Sequence, residues 1–527
     1  SEAGEVSREN SAGNRRPAGM PFRSFTSDSL GGTDNVMEFS SSVYYCDEGD
    51  GAVELEVIRL GNATAPCAVQ YITRDRSAVA GKKYCAAHGV LEFSPGESSK
   101  VLRIGILEDN SFDATLEFEV ILSRAFNAGL GAYLHTCRVM ICDNDAFPTN
   151  RFATKLHAQK ITEVPQWPLM CEFWRMSLAD KTFRRRALKN IVSDQLGNFN
   201  YVLTTLLMNF LIDHVLRPAD GSPPPSNAAE MVYIIVSVGI APHIILWLMD
   251  RMSMKRRVKG MVVSRLQANL LRKFLNYNEA SRNVVSTSDL TMAITRDVPE
   301  LAQDGLVPCF AILQNVGLLA ILSTLAIRQM GDALYIAIAI FLGAPISMML
   351  FLAYRHKGTS ERRQKSFRRQ TELVGYLQQT IDCYRLIADY AQGPTVVNAF
   401  SDKIKACNDA GLRAALWEMT NQHFAPLMRT LICGSFILLT FQNILGGAPL
   451  GEFVTGVALC TKIGHCYESV YNQVLRIEQA MAPLHNVVFY MNLPVDVPER
   501  MKNSRRLLEE AGKLRKLAVA RRSSVVS

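Results

Sequence analysis

The feature that most constrains this chain is the uneven placing of its apolar residues, which make up 48% of 527. Beyond the first third they gather in six runs that come in pairs: about 191–216, 230–250, 306–327, 332–354, 424–445 and 450–468. Several approach the ~20 residues that a helix needs to cross the hydrocarbon of a bilayer, although the last run is short and polar. Segments 251–305 and 355–423 are rich in cations: Lys255, Arg256, Arg257 and Lys259 in the first, Arg362, Arg363, Lys365, Arg368 and Arg369 in the second. The connections near 217–229, 328–331 and 446–449 hold hardly any. Lys and Arg favour the cytosolic side of a membrane, so both long loops and both chain ends are expected there. Six spans in a multi-pass integral membrane protein, with the bilayer as its first partner, is the expectation. The net charge of +8 sits in these juxtamembrane blocks and gives nucleic-acid binding no support.

The N-terminal part reads differently. Residues 1–38 are rich in Ser, Gly, Asn and Arg with almost no apolar run, a composition that buries too little surface to offset its ordering entropy, so a disordered tail is expected. In 39–147, the stretches Ala52 to Arg59, Val69 to Thr73, Val101 to Leu107 and Phe118 to Leu122 alternate apolar and polar. Turn signals at Gly49 to Gly51, Gly61-Asn62 and Pro95-Gly96 separate them. About seven short strands in ~100 residues suit a small antiparallel, immunoglobulin-like sandwich. Of the twelve cysteines, Cys46, Cys67, Cys85, Cys137 and Cys142 fall here, none in a C-x-x-C pair, and free thiols are expected in a cytosolic domain.

The segment resembles the Calx-beta domain of sodium/calcium exchangers and some adhesion proteins. The likeness rests on Glu48-Gly-Asp-Gly51, Tyr71-Ile-Thr-Arg-Asp75, Ala80-Gly-Lys-Lys-Tyr84, Phe93-Ser-Pro-Gly-Glu97, Ile106-Leu-Glu-Asp109 and Cys142-Asp-Asn-Asp145. It implies loop carboxylates holding Ca2+, a hard cation that takes oxygen ligands. The matching positions are Glu48, Glu108, Asp109, Asp113, Asp143 and Asp145, with a carbonyl from Asn144. Two positions depart from the pattern. Lys83 stands where binding members carry an acid before the Tyr, and an ammonium there repels the ion. Leu116 stands where they carry another acid, and Glu117, one position on, faces the other way in a strand. A calcium sensor and a calcium-silent docking sandwich both stay open.

Residues 148–189 form a connector in which Trp167, Phe173 and Trp174 precede the cations Arg184 to Arg186 and Lys189, the pattern of an elbow helix lying at a membrane surface. Residues 190–495, six all-α spans with long intracellular loops, resemble the type-1 transmembrane domain of ATP-binding-cassette (ABC) exporters. The matching residues include Leu270 to Leu275, Ser288-Asp-Leu290, Thr295 to Glu300, Leu377 to Gln392, Gly451 to Thr455, Arg476 to Ala480 and Asn492-Leu-Pro494. That family implies homo- or heterodimers of such domains and coupling helices seated in nucleotide-binding domains. Carried over, Asp289, Asp297 and Arg385 lie in coupling loops; the alternative is that both acids only cap or pair within a helical hairpin. No G-x-x-x-x-G-K-[ST] loop occurs, so this chain alone is no ATPase, and ATP and Mg2+ enter only through a partner or a missing domain. Residues 496–527 read as a basic helix or tail where a motor domain is expected, which, with the absent initiator Met, fits a fragment.

Polar groups at membrane depth are costly and usually face a cavity or a partner. Asp213 and His214 close the first run, His243 follows Pro242 in the second, and Lys462, His465 and Glu468 recur every third residue in the last. His243, Lys462 and His465 are the candidates for a substrate path. The expected function is the transmembrane subunit of an ABC-type transporter with a cytosolic Calx-beta module; the alternative is a calcium-responsive membrane scaffold without transport.

Overall fold

A computed structural model of the chain describes residues 35–109, 111–211, 215, 227–256, 258–330, 334–445 and 450–526. Residues 1–34 of the expected tail, and Asp213 and His214, lie outside the described residues.

Among the described residues nine strands form the sandwich: β1 (Val36–Phe39), β2 (Val43–Asp47), β3 (Ala52–Leu60), β4 (Cys67–Asp75), β5 (His88–Phe93), β6 (Ser99–Gly105), β7 (Leu116–Phe126), β8 (Gly129–Leu130) and β9 (Thr136–Cys142). One sheet runs β6-β3-β1-β8 and the other β2-β9-β7-β4-β5. Alternation works as strand geometry requires: Val53, Leu55 and Val57 of β3 are buried while Glu54 faces out. Leu116 is buried with the sandwich core, and Glu117 turns away toward Arg138, 3.9 Å off. The described cysteines are free, as expected, and Cys46, Cys67, Cys137 and Cys142 are buried.

Two expectations change. The strand β1 starts at Val36, inside the stretch assigned to the tail, and Met37 and Phe39 are fully buried. One Val-Met-Glu-Phe strand beside a long polar stretch carries too little periodicity to be seen alone. Nor is the sandwich wholly antiparallel, since β1 pairs parallel with β8 and β2 with β9. Between β1 and β2 the chain passes from one sheet to the other at Ser40 to Ser42, and this crossing lays β2 along β9 in the same direction.

The helices follow: α1 (Ala153–His157), α2 (Gln166–Ala179), α3 (Lys181–Phe210), α4 (Ala228–Arg256), α5 (Val258–Leu275), α6 (Glu279–Val284), α7 (Thr287–Met292), α8 (Val298–Glu300), α9 (Val307–Met330), α10 (Leu334–Asp382), α11 (Tyr384–Asp389), α12 (Gly393–Leu445), α13 (Leu450–Gln479), α14 (Met481–Met491) and α15 (Val497–Val526). Two π-helical stretches, Ala293–Asp297 and Leu301–Leu306, join α7, α8 and α9. The six apolar runs fall on α3, α4, α9, α10, α12 and α13. Among the described residues, two stretches are long and apolar enough to cross a bilayer, Ala228–Met252 and Thr287–Thr324. The count of six is not reached there: α3 carries Asn198 and Asn200 within its run, and α13 carries Lys462 and Glu468.

Helices α10 and α12, 49 and 53 residues long, lie side by side. At 1.5 Å per residue each is roughly 70–80 Å, more than twice a hydrocarbon core. Phe351 stacks on Phe424 at 3.9 Å, and Arg355 and Arg362 each lie 3.8 Å from the Trp417 ring, which joins the pair along its length. Helix α2 carries the aromatics of the expected elbow helix, and two of them turn inward. Phe173 is fully buried, and Trp174 Nε1 donates to the Gly305 carbonyl at 2.8 Å, which anchors α2 to the second π-helical stretch.

One large core belongs to neither half. Phe112, Ala146 and Phe147 at one end of the sandwich pack in a single cluster with Phe173, Leu266, Leu270, Val298 and Val487 of the helices. The sandwich proper has its own core, centred on Phe39, Leu55, Phe93 and Phe118.

Candidate functional site

The acidic loops at this joint are organised by Lys83. A turn places it: Gly81 adopts φ +77, the Lys83 amide donates to the Val79 carbonyl at 3.1 Å, and the Leu107 amide donates to the Lys83 carbonyl at 3.0 Å. The next residue, Tyr84, is buried, stacks on Phe118 at 4.0 Å and donates its hydroxyl to Asp75 at 2.5 Å. With the backbone pinned on both sides, the side chain points inward and is 6% exposed. Its Nζ lies 2.9 Å from Glu48 Oε1, 3.0 Å from Asp109 Oδ2 and 3.3 Å from Asp113 Oδ2. The ammonium donates to Glu48 and forms ion pairs with Asp109 and Asp113, so its charge is met on three sides. Burial by itself pulls this lysine's pKa down; the bonds to Glu48 and Asp109 and the charge of Asp113 more than offset it, so the ammonium is held charged.

The other acids mostly have local partners, although Asp145 Oδ2 is buried without one. Glu48 also accepts the Asp109 amide at 2.8 Å. Asp143 accepts the amides of Asp113 and Asp145, and burial, against those bonds, pushes its carboxyl up to about 7. Asp145 turns to Asn150, whose Nδ2 donates to it at 2.5 Å. Glu108 and Asn144 are exposed, and Glu108 stands outside the set bonded to Lys83.

Helix α5 completes the charge pattern. Arg265 reaches Asp113 Oδ1 at 3.2 Å, and Lys273, two turns on along the same face, lies 5.7 Å from the centre of the Phe112 ring. Burial depresses the Lys273 pKa, and the charge of Asp143 works against that. These contacts carry no local mark around the acids, but Arg265, Asn269 and Lys273 recur every fourth residue, a stripe legible on a helical wheel.

Whether these residues fit calcium follows from the geometry. Calcium takes six to eight oxygens at about 2.3–2.6 Å. Here the three carboxylates stand 2.9–3.3 Å from a nitrogen that fills their centre. Among the described residues, no group of three or more His, Cys, Asp or Glu side chains is placed to hold a metal ion. As arranged here the residues do not fit the ion, because Lys83, expected to repel it, stands among the three carboxylates itself.

The expected coupling residues have local partners. Asp289 forms a capping box at the start of α7, its Oδ2 accepting from the Ser286 hydroxyl at 2.7 Å and the Ser286 amide at 3.1 Å. Asp297 is buried between Arg296 Nε at 2.7 Å and Asn486 Nδ2 at 2.9 Å. Asp289, Lys365, Arg368 and Asn486 line a cleft of about 1010 Å³ bounded by α7, α10 and α14. Arg385 is exposed on α11, beside the exposed apolar residues Tyr384, Leu386 and Tyr390.

The path residues separate. Lys462 lies 4.3 Å from the centre of the Tyr201 ring of α3. His465 and Glu468 turn instead to Arg429 of α12, at 2.9 and 2.6 Å. His243 is exposed on α4 and joins neither group.

Residues 33–145 match the family model described as the Calx-beta domain. Residues 188–460, just over half of the chain, match that of the ABC transporter transmembrane region; neither matching family is a nucleotide-binding domain. Sodium/calcium exchanger 2 of Homo sapiens is 38% identical over 121 residues, which is 23% of this chain and 13% of that protein. Its Rattus norvegicus counterpart is 42% identical over 85 residues, 16% and 9% of the two chains. The chain thus spans about a tenth of the length of the curated relatives it matches. A solved bacterial Atm1-family ABC exporter with ATP bound aligns over 59% of this chain and 55% of its own, with a TM-score of 0.51 and 15% identity, which marks a shared fold.

Proposed function

The chain belongs to the ABC transporter transmembrane-region family, and on that premise we propose that it is the membrane subunit of an ATP-driven transporter that works by alternating access. In this reading α3, α4, α9, α10, α12 and α13 are the six spans. The sandwich and α15 lie in the cytosol with the cationic loops, and two such domains pair, as homo- or heterodimer. ATP and Mg2+ are held by nucleotide-binding domains outside these residues. The sandwich serves as a docking module.

The observation that carries the reading is the α10–α12 hairpin. Helices of this length leave about half of each rod outside a bilayer, and they end in α11, a six-residue helix with no buried residue and with Tyr384, Leu386 and Tyr390 exposed. Such a rigid rod tipped by apolar residues suits the transfer of a motor's movement to the spans.

The test is to reconstitute the full chain in proteoliposomes with exporter nucleotide-binding domains and compare ATP hydrolysis with that of those domains alone. Stimulation that disappears in a Tyr384→Ala, Leu386→Ala double variant is the expected result. Equal hydrolysis with and without the chain overturns the reading.

A further inference from the structure

The sandwich carries its own cation. We propose that the Lys83 ammonium permanently fills the divalent-ion position of the Calx-beta fold and, through the loop it holds, latches the sandwich to helix α5 without calcium.

Three observations meet here. The first is occupancy. Nζ sits within 3.3 Å of Glu48, Asp109 and Asp113, and both Lys83 and Glu48 are almost wholly buried. A divalent ion in the same volume would have to expel an ammonium whose backbone is tied to Val79 and Leu107, and would break one charge-assisted hydrogen bond, to Glu48, and two ion pairs, to Asp109 and Asp113. Electrostatics removes the incentive as well, because Arg265 pairs with the far oxygen of Asp113 at 3.2 Å.

The second is what the held loop does. Asp109 and Asp113 bracket Phe112, which is 3% exposed and inserts into the shared core edge-on to Phe147, ring centres 5.2 Å apart. The Asp109 side chain accepts the Ser111 amide at 2.8 Å, and its own amide donates to Glu48. The segment that reaches the helices is therefore fixed from the Lys83 side.

The third is the reach of Asp113. One of its oxygens takes Lys83 and the other takes Arg265, so a single carboxylate ties the sandwich interior to α5. A ligand-gated joint loses this tie when the ion leaves; a side chain cannot leave. The inference needs neither ATP nor transport, so it stands or falls apart from the proposed function.

The experiment uses the purified full chain in lipid nanodiscs, with Ca2+ as the probe. Binding is followed by equilibrium dialysis of radioactive calcium, and the loop by hydrogen exchange of peptides covering 107–115 and 258–275. The wild-type chain is expected to show no saturable binding up to about 1 mM free Ca2+, the weak end of protein calcium sites, and no change in exchange. Saturable binding with slowed exchange in the loop overturns the proposal, and this arm needs no variant. In Lys83→Ala, exchange in both peptides is expected to rise at least about tenfold, while saturable Ca2+ binding appears and slows it again. Unchanged exchange overturns the latch, and failure to gain calcium overturns the claim that the ammonium fills the ion's position. If Lys83→Ala does not fold, Asp113→Asn replaces it. That change keeps the side chain's shape but removes its charge from both Lys83 and Arg265, and is expected to raise exchange in 107–115 and 258–275; an unchanged value in 258–275 again overturns the latch.

Discussion

Replacing Phe112 with Ala separates the joint from the domain that carries it. The ring is buried in the cluster shared with α5 and α14, and the sandwich core does not include it. Truncating a buried Phe costs about 3–5 kcal/mol, which combines lost transfer energy with the cavity left behind. Within that, the edge-on contact with Phe147 contributes about 0.5–1.5 kcal/mol, and Lys273 loses the ring beneath it. A cavity of about 30 Å³ already lies beside the ring, lined by Phe147, Met261 and Arg265 among others, so the truncation enlarges an existing void. Because the cost falls on the joint, even ~3 kcal/mol raises the population of the undocked state by about two orders of magnitude while the sandwich stays folded. Hydrogen exchange measures both: peptides from 258–275 and 481–491 are expected to exchange faster, and those from β4 and β7 to keep their wild-type rates. Faster exchange in β4 and β7 with an undisturbed α5 would refute the assignment of Phe112 to the joint.

Further outcomes follow from the same contacts. Asp143 keeps its proton to about pH 7 in the folded chain against an ordinary value of 3.8, so the folded state binds the extra proton between those limits. The stability it contributes is present below pH ~4 and lost as pH rises through 7, at most ~1.4 kcal/mol per unit; with Asp145, Glu48 and Lys273 unchanged, Asp143→Asn is expected to flatten the pH 5–8 dependence of the sandwich's protection factors, the exchange rates divided into those of the unfolded chain. Arg429→Ala leaves Glu468 without its 2.6 Å partner inside the bundle and is expected to cost about 3 kcal/mol; thermal denaturation in detergent should show a lowered midpoint that Glu468→Gln in the same chain restores. Arg505 and Arg515 bind Asp50 and Glu56 at 2.5 and 2.7 Å, and Leu508 packs on the sandwich core between them. Since the ion pairs are part-exposed, each contributes at most about 1 kcal/mol, so added salt or an Arg505→Ala, Arg515→Ala double variant is expected to speed exchange along 497–515 without releasing it wholly.

How much was legible follows from distance along the chain. The alternation of β3 and the alternate-face placing of Glu117 are local, and both stand as read. The long loops were legible as charge blocks, and α10 and α12 show why, since each continues its apolar run into a charged helix without a break. Asp289 was legible in both of its readings, and the capping box with Ser286 realises the local one. That Phe173 is buried and Trp174 bonds the Gly305 carbonyl was not legible, because an aromatic face looks the same in sequence whatever covers it. Lys83 was singled out as a residue that disfavours calcium; charge alone says that an ammonium repels the ion, and says nothing of whether it enters the cluster.

Sequence by itself determined the two-part architecture, because periodicity and hydropathy act over a few residues and no distant contact reverses them. It determined the set of acids at the sandwich end as well, through the motifs that carry them. The tertiary structure alone decided what those acids bind. Glu48 lies 35 residues before Lys83, and Asp113 lies 152 before Arg265; such pairs meet only through the full path of the chain. It alone decided that Phe112, in a polar loop, is a core residue. Burial is a property of where a side chain ends, and only the packing of two domains against each other supplies that.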